Sequence, residues 1–167
     1  MLLPYYLLAA AAAVMASPTV YLIRHGEKPD DGGNGLSAQG VQRAQCLRSV
    51  FGKDSKYNIG YIMAQTPKKS MFDNKRPIVP DKCKSLTITA TGGKRTRPYE
   101  TVRPLADDLG LTVDTSCDRD DPKCVKKAVE NYKGDGNILI CWQHEALTDI
   151  VKKLGADDAP EYPSDRC

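Results

Sequence analysis

Three short apolar runs alternate with helix-type patterns along this chain, and this alternation limits its possible folds more than any other feature. The runs cover residues 19–23, 59–64 and 138–142, and residues 111–115 form a weaker fourth run. An apolar run without polar alternation is typical of a strand that is covered on both faces. We therefore predict four strands of a mostly parallel sheet.

Four other segments carry apolar residues at spacings of three and four positions, which predicts helices. The first segment follows Ser37, a predicted N-cap, and the second ends at Gly110, a predicted C-terminal stop. The third covers residues 125–132, and the fourth covers residues 147–154 and ends at Gly155. Strands that alternate with helices predict a three-layer α/β fold, in which a mostly parallel central sheet has helices on both faces.

The chain has 167 residues, enough for one domain with its own core. Residues 1–16 are apolar and have the length of a secretory signal, although no basic residue precedes them, so a buried N-terminal helix is the alternative. We predict a signal peptide over 1–16, a single domain over 17–167 and a secreted product, with a cytoplasmic location as the alternative. A net charge of +3 gives no reason to expect a nucleic acid, and no membrane partner is expected after signal removal.

All six cysteines lie beyond residue 16, and an even number in a secreted chain permits disulfides. Cys117 and Cys124 bracket a short polar loop and are the predicted pair. Cys141 lies inside an apolar run and is predicted to be a buried free thiol. The chain has no Cys-x-x-Cys motif and only two histidines, so we expect no metal site.

Both histidines of the chain follow a predicted strand directly. Arg24 and His25 come after the first run, and His144 and Glu145 come after the last one. Arg97 lies at the start of the second helical segment. Because ligands of an open parallel sheet bind outside the carboxyl ends of its strands, we expect these side chains to meet at one edge of the sheet.

These residue types suit phosphoryl transfer through a histidine. Guanidinium groups bind phosphate oxygens bidentately, and a helix N-terminus adds backbone donors. A neutral imidazole can attack phosphorus, a second imidazole can stabilise the charge on the equatorial oxygens, and a carboxylic acid can protonate the leaving oxygen. The residues that follow the strands therefore predict a phosphate-binding site at this edge of the sheet.

Four motifs occur in a fixed order: "RHGE" at 24–27, "GLSAQGVQRA" at 35–44, "RPYET" at 97–101 and "QHE" at 143–145. In this order they resemble the histidine phosphatase superfamily, which has the phosphoglycerate-mutase-like fold. The resemblance covers residues 19–155 and is closest to the small fungal members. It implies a metal-independent phosphomonoester hydrolase that needs no cofactor and acts through a phosphohistidine on a small-molecule phosphate ester.

The resemblance also implies roles for single residues. His25 would be the nucleophile, with Arg24, Arg97 and His144 around the phosphate. The proton donor would be Glu145, which follows the second histidine in the chain. Glu27, which is close to the nucleophile in sequence, is the alternative acid.

Other functions stay open at this point. The chain could be a non-catalytic protein that binds a phosphorylated ligand, a degenerate member of the same fold, or a phosphotransferase of the phosphoglycerate-mutase type. It could also be a secreted disulfide-bearing domain whose histidines are structural.

Two features depart from the family pattern. Residues 71–91 are predicted to be an inserted loop, which is either a lid over the substrate or sequence without a function. Relatives continue beyond the last predicted helix into at least one more strand. The sheet can therefore be truncated at its C-terminal edge, which would expose apolar surface.

Overall fold

A computed structural model of the chain describes residues 17–68 and 94–162. The predicted signal peptide at 1–16 and the predicted inserted loop at 71–91 lie outside the described residues. The described elements are, in chain order, β1 (Val20–Arg24), α1 (Ala38–Val50), β2 (Ile59–Ala64), α2 (Arg97–Leu109), β3 (Val113–Asp114), α3 (Pro122–Asn131), β4 (Asn137–Trp142) and α4 (His144–Lys153). Every helix within the described ranges is too short or too polar to cross a lipid bilayer.

The strands form one sheet in the order β1-β4-β2-β3, and all neighbouring strands are parallel. Arg24 on β1 pairs with Trp142 on β4, and Ala64 on β2 pairs with Cys141 on β4. Strands β1, β4 and β2 therefore end at the same level. The residues that follow them emerge together at one edge of the sheet.

Side chains of the sheet alternate between two hydrophobic clusters, one on each face. Leu139 and Cys141 of β4 pack in the cluster that contains α1 and α2, whereas Ile140 and Trp142 pack in the cluster that contains α3 and α4. This arrangement confirms the predicted α/β fold with a parallel central sheet and a helical layer on each face. Cys141 is a fully buried free thiol, as predicted.

Strand β3 is shorter than the predicted run at 111–115. It pairs with β2 only through Val113 and Asp114. The Asp114 carboxylate then accepts a hydrogen bond from the N–H of Ser116 at 2.8 Å. Beyond β3 the chain stays beside the segment after β2, where the N–H of Thr66 donates to the carbonyl of Cys117 at 2.8 Å.

The helix boundaries follow the signals in the sequence. Ser37 caps α1, and its hydroxyl oxygen accepts a hydrogen bond from the N–H of Gly40 at 3.1 Å. Helix α2 ends at Gly110, which adopts the left-handed conformation that glycine favours, with a φ of 67°. The predicted disulfide between Cys117 and Cys124 is present and joins the loop after β3 to the first turn of α3.

Candidate active site

A cavity of about 650 Å³ opens at the carboxyl ends of β1 and β4. The structure brings together at this cavity all six residues that the sequence singled out, namely Arg24, His25, Glu27, Arg97, His144 and Glu145. They come from the end of β1, the loop that follows it, and the first turns of α2 and α4. The parallel topology explains why residues so far apart in the chain meet here.

The two histidines face each other across the cavity, with their ring centroids 6.4 Å apart. The backbone N–H of His25 donates to the carbonyl of Trp142 at 3.1 Å, which extends the β1–β4 ladder by one residue. His144 is the first residue of α4. Both rings are therefore attached to regular structure and held at a fixed separation.

The hydrogen bond of the His25 ring selects one tautomer. Its Nδ1 lies 2.6 Å from the carbonyl oxygen of Gly26, which can only accept, so Nδ1 carries the proton in the neutral ring. Nε2 is then left without a proton and has a free electron pair. This is the state in which an imidazole acts as a nucleophile.

The surroundings of His25 favour its neutral form. Burial lowers the pKa of His25 below its ordinary value, and the hydrogen bond to Gly26 only partly opposes this effect. The positive charges of Arg97 and Arg24 lower the pKa further. At neutral pH the ring is therefore uncharged.

Arg97 begins α2, and its Nη1 donates to the carbonyl of Gly33 at 3.1 Å. Its Nε is buried and has no hydrogen-bond partner among the described residues. Arg97 also lines the cavity, where the other N–H groups of a guanidinium suit an anion. The residue therefore fits an oxyanion as its ligand.

Thr101, one turn further along α2, links Arg97 to the nucleophile. Its hydroxyl accepts a hydrogen bond from the N–H of Gly26 at 2.8 Å and donates to the carbonyl of Arg97 at 2.7 Å. The Thr101 side chain is fully buried. One hydroxyl group thus holds the loop after β1 against the start of α2.

Glu27 lies between two guanidinium groups. It accepts a hydrogen bond from Arg24 Nη2 at 3.2 Å and a second from Arg43 Nε at 3.2 Å. Burial tends to raise the pKa of Glu27, but the hydrogen bond and the charge of Arg43 hold it below its ordinary value. Glu27 is therefore ionised at neutral pH and orients Arg24.

Two glycines allow α1 to approach the loop that carries His25. A Cβ atom on Gly40 would lie 2.6 Å from the carbonyl oxygen of Glu27, and one on Gly26 would lie 2.9 Å from that of Gly40. Both distances are shorter than real Cβ contacts, so neither position accepts a side chain without a shift of the backbone. The "GLSAQGVQRA" motif therefore packs closely against the loop that carries His25.

Glu145 lies in the first turn of α4 at the mouth of the cavity, and its side chain is 64% exposed. Its Oε2 accepts a hydrogen bond from Gln143 Nε2 at 3.1 Å, and Arg119 Nη1 lies 4.0 Å away. The carboxyl group thus has access both to the cavity and to water.

Four residues that contact the site were not singled out from the sequence: Arg43, Thr101, Arg119 and Gln143. Three of them lie inside the quoted motifs, so the signal for them was present. Arg119 lies on the disulfide-closed loop, and nothing in the sequence indicated that this loop would reach the site.

A comparison with models of known protein families gives no match for this chain, and no curated protein matches it either. The four motifs and the geometry of the cavity residues are therefore the basis for assigning a function.

Proposed function

We propose that the protein is a phosphomonoester hydrolase that forms a phosphohistidine at His25 on a small-molecule phosphate ester. The observation that carries the proposal is the pair of facing imidazoles, with ring centroids 6.4 Å apart, in a cavity that Arg24 and Arg97 also line. A phosphoryl group bonded to one ring can reach a hydrogen-bond donor on the other ring across this separation.

In the first step, Nε2 of His25 attacks phosphorus in line with the leaving oxygen. The nitrogen–phosphorus bond forms while the bond between phosphorus and the leaving oxygen breaks. The guanidinium groups of Arg24 and Arg97 and the ring of His144 stabilise the charge that spreads over the equatorial oxygens. Glu145 donates its proton to the leaving oxygen, and the alcohol departs.

In the second step, water attacks phosphorus and the nitrogen–phosphorus bond breaks. The Glu145 carboxylate takes a proton from that water, and neutral His25 and inorganic phosphate are released. The protons balance over the cycle because Glu145 gives one and regains one. The scheme requires no metal and no cofactor.

The acid role is assigned to Glu145 rather than to Glu27. Glu27 accepts hydrogen bonds from Arg24 on one carboxylate oxygen and from Arg43 on the other, so both oxygens are engaged by guanidinium groups. Glu145 lines the cavity beside His144 and reaches water.

The test is the release of phosphate from para-nitrophenyl phosphate by the purified protein in the presence of EDTA. We expect turnover that EDTA leaves unchanged and that a His25→Ala variant lacks. If EDTA abolished turnover, the metal-free scheme would be wrong. Tight binding of phosphate without any release would instead favour a non-catalytic phosphate-binding protein.

A further inference from the structure

A buried amide, the side chain of Gln65, lies at the end of β2 and has no role in the reaction proposed above. Gln65 follows the last residue of β2, and this strand ends at the same level as β1 and β4, which lead to the two histidines. Only 1% of Gln65 is exposed. A polar side chain that is buried this completely is normally satisfied by hydrogen bonds on both its donor and its acceptor side.

Gln65 lines a space that is continuous with the candidate active site. A cavity of about 220 Å³ adjoins the larger one, and the two share His25, Arg97 and Gln143. Gln65 belongs to the lining of the smaller cavity. Its amide is therefore a neighbour of the proposed nucleophile and of the guanidinium group that binds the phosphate.

One hydrogen bond fixes the orientation of the Gln65 amide. The backbone N–H of Gln143 lies 3.2 Å from Oε1 of Gln65. A backbone N–H can only donate, so the oxygen of the amide faces Gln143 and the NH₂ group is turned away from it. Nε2 of Gln65 has no acceptor among the residues that the structure describes, and protein atoms do not seal it off. This nitrogen therefore opens to the cavity with unused donors.

The backbone around Gln65 is held on the side of β3. The N–H of the next residue, Thr66, donates to the carbonyl of Cys117 at 2.8 Å. The Thr66 hydroxyl donates to the carbonyl of Thr115 at 2.7 Å. Because β2 and these two contacts fix the chain before and after Gln65, its amide is preorganised, and a ligand loses little affinity to the ordering of this side chain.

The ligand that suits these donors is an anion with acceptor oxygens. Arg95, Arg97 and Arg119 line the smaller cavity, and no carboxylate among the described residues does so. The anion that the proposed reaction brings to His25 and Arg97 is the phosphoryl group. Its charged oxygens accept hydrogen bonds and form stronger ones than neutral acceptors do.

We propose that Nε2 of Gln65 donates a hydrogen bond to an equatorial oxygen of the phosphoryl group that His25 attacks. This inference rests on the proposed function and adds a binding residue to the same site. Through Oε1 the side chain also holds Gln143, the residue directly before α4 and His144. One amide thus contacts the phosphate and the start of the helix that carries the second imidazole.

The experiment measures the binding of inorganic phosphate to the whole protein. In proton–nitrogen correlation NMR, phosphate should move the side-chain NH₂ signals of Gln65 downfield, because a proton that donates to a charged oxygen is deshielded. The signals of Gln42, an exposed residue of α1 that lines neither cavity, should stay in place. This measurement uses the wild-type protein, so it does not depend on the folding of a variant.

Two variants separate the donor of Gln65 from its acceptor, with calorimetry as the readout. Gln65→Met keeps the length of the side chain and removes both groups, and we expect it to bind phosphate about tenfold more weakly than the wild type. Gln65→Glu keeps an oxygen for the N–H of Gln143 but has no donor when it is ionised, so it should bind phosphate no better than Gln65→Met. Gln42→Met is the matched control and should leave the affinity unchanged.

The possible results separate this inference from the proposed function. Wild-type affinity in Gln65→Met or Gln65→Glu would overturn the inference, because the donor would then be dispensable. Gln65 signals that do not respond to phosphate, or a protein that binds no phosphate, would overturn it as well, even if esters are hydrolysed. If the signals move and both variants bind weakly but no ester is hydrolysed, Gln65 stands as a phosphate-binding residue and the hydrolase proposal fails.

Discussion

The Thr101 hydroxyl accepts a hydrogen bond of 2.8 Å from the backbone N–H of Gly26, and this contact joins helix α2 to the loop that carries the proposed nucleophile. The same hydroxyl donates to the carbonyl of Arg97. The fully buried Thr101 side chain therefore helps to fix the position of His25 relative to Arg97.

Replacing Thr101 by valine keeps the shape of the side chain and removes only the hydroxyl. Because the N–H of Gly26 is then left buried without its partner, we expect the free energy of unfolding to fall by about 1–3 kcal/mol. We also expect kcat to fall. Urea denaturation and steady-state kinetics measure the two effects. Thr101→Ser keeps the hydroxyl, so its free energy of unfolding and its kcat should fall less than those of Thr101→Val. A valine variant as stable and as active as the wild type would contradict the proposed role of the Thr101 hydroxyl.

Glu145→Gln removes the proposed proton donor and changes little else, because the side chain is exposed. We expect hydrolysis of an alkyl phosphate to slow by about 10²–10³-fold, since a poor leaving group needs the proton. Hydrolysis of para-nitrophenyl phosphate should slow far less. The measurement is kcat for both substrates, with Glu130→Gln, an exposed glutamate on α3, as the matched control. Equal slowing of both substrates would assign the acid role to another residue.

Glu27→Gln should destabilise the protein in a way that depends on pH. The pKa of Glu27 in the folded protein lies below its ordinary value of 4.5, so its ionised form stabilises the fold above that value. This contribution is lost as the pH falls through the lowered pKa. We therefore expect the variant to lose about 1.5–3 kcal/mol at pH 7, and the difference from the wild type to shrink toward pH 3. Urea denaturation at both pH values checks this, and a constant difference would contradict it.

The pH dependence of kcat/KM should show the lowered pKa of His25. Only the neutral ring attacks phosphorus, so activity falls as the pH drops through that pKa, and this acidic limb should lie below the ordinary value of 6.5. Arg97→Gln removes one of the charges that lower the pKa, so the acidic limb of its residual activity should move to higher pH. A limb that stays in place in Arg97→Gln would show that the limb belongs to another group.

The fold could be predicted from the sequence because its signals are local. The predicted strand at 59–64 has the same bounds as β2. Ser37 caps the start of α1 and Gly110 caps the end of α2, as their chemistry predicts. Strand β3 is shorter than the predicted run because only Val113 and Asp114 pair with β2, and hydropathy does not show where strand pairing stops.

The candidate site was only partly predictable. His25 and His144 could be assigned to one edge because the parallel topology fixes where strands end. Thr101 lies inside a quoted motif, but the motif does not show that its hydroxyl contacts the loop after β1. The contacts of Arg119 depend on the tertiary packing of its loop, which a single sequence does not encode in any local pattern.

The central claim is that a covalent phosphoryl group forms on His25, and rapid quenching of the reaction with a radiolabelled phosphomonoester tests it most directly. We predict protein-bound label that is labile in acid and stable in base, that maps to His25 and that is absent from His25→Ala. Label on any other residue, or undiminished turnover by His25→Ala, would contradict the account.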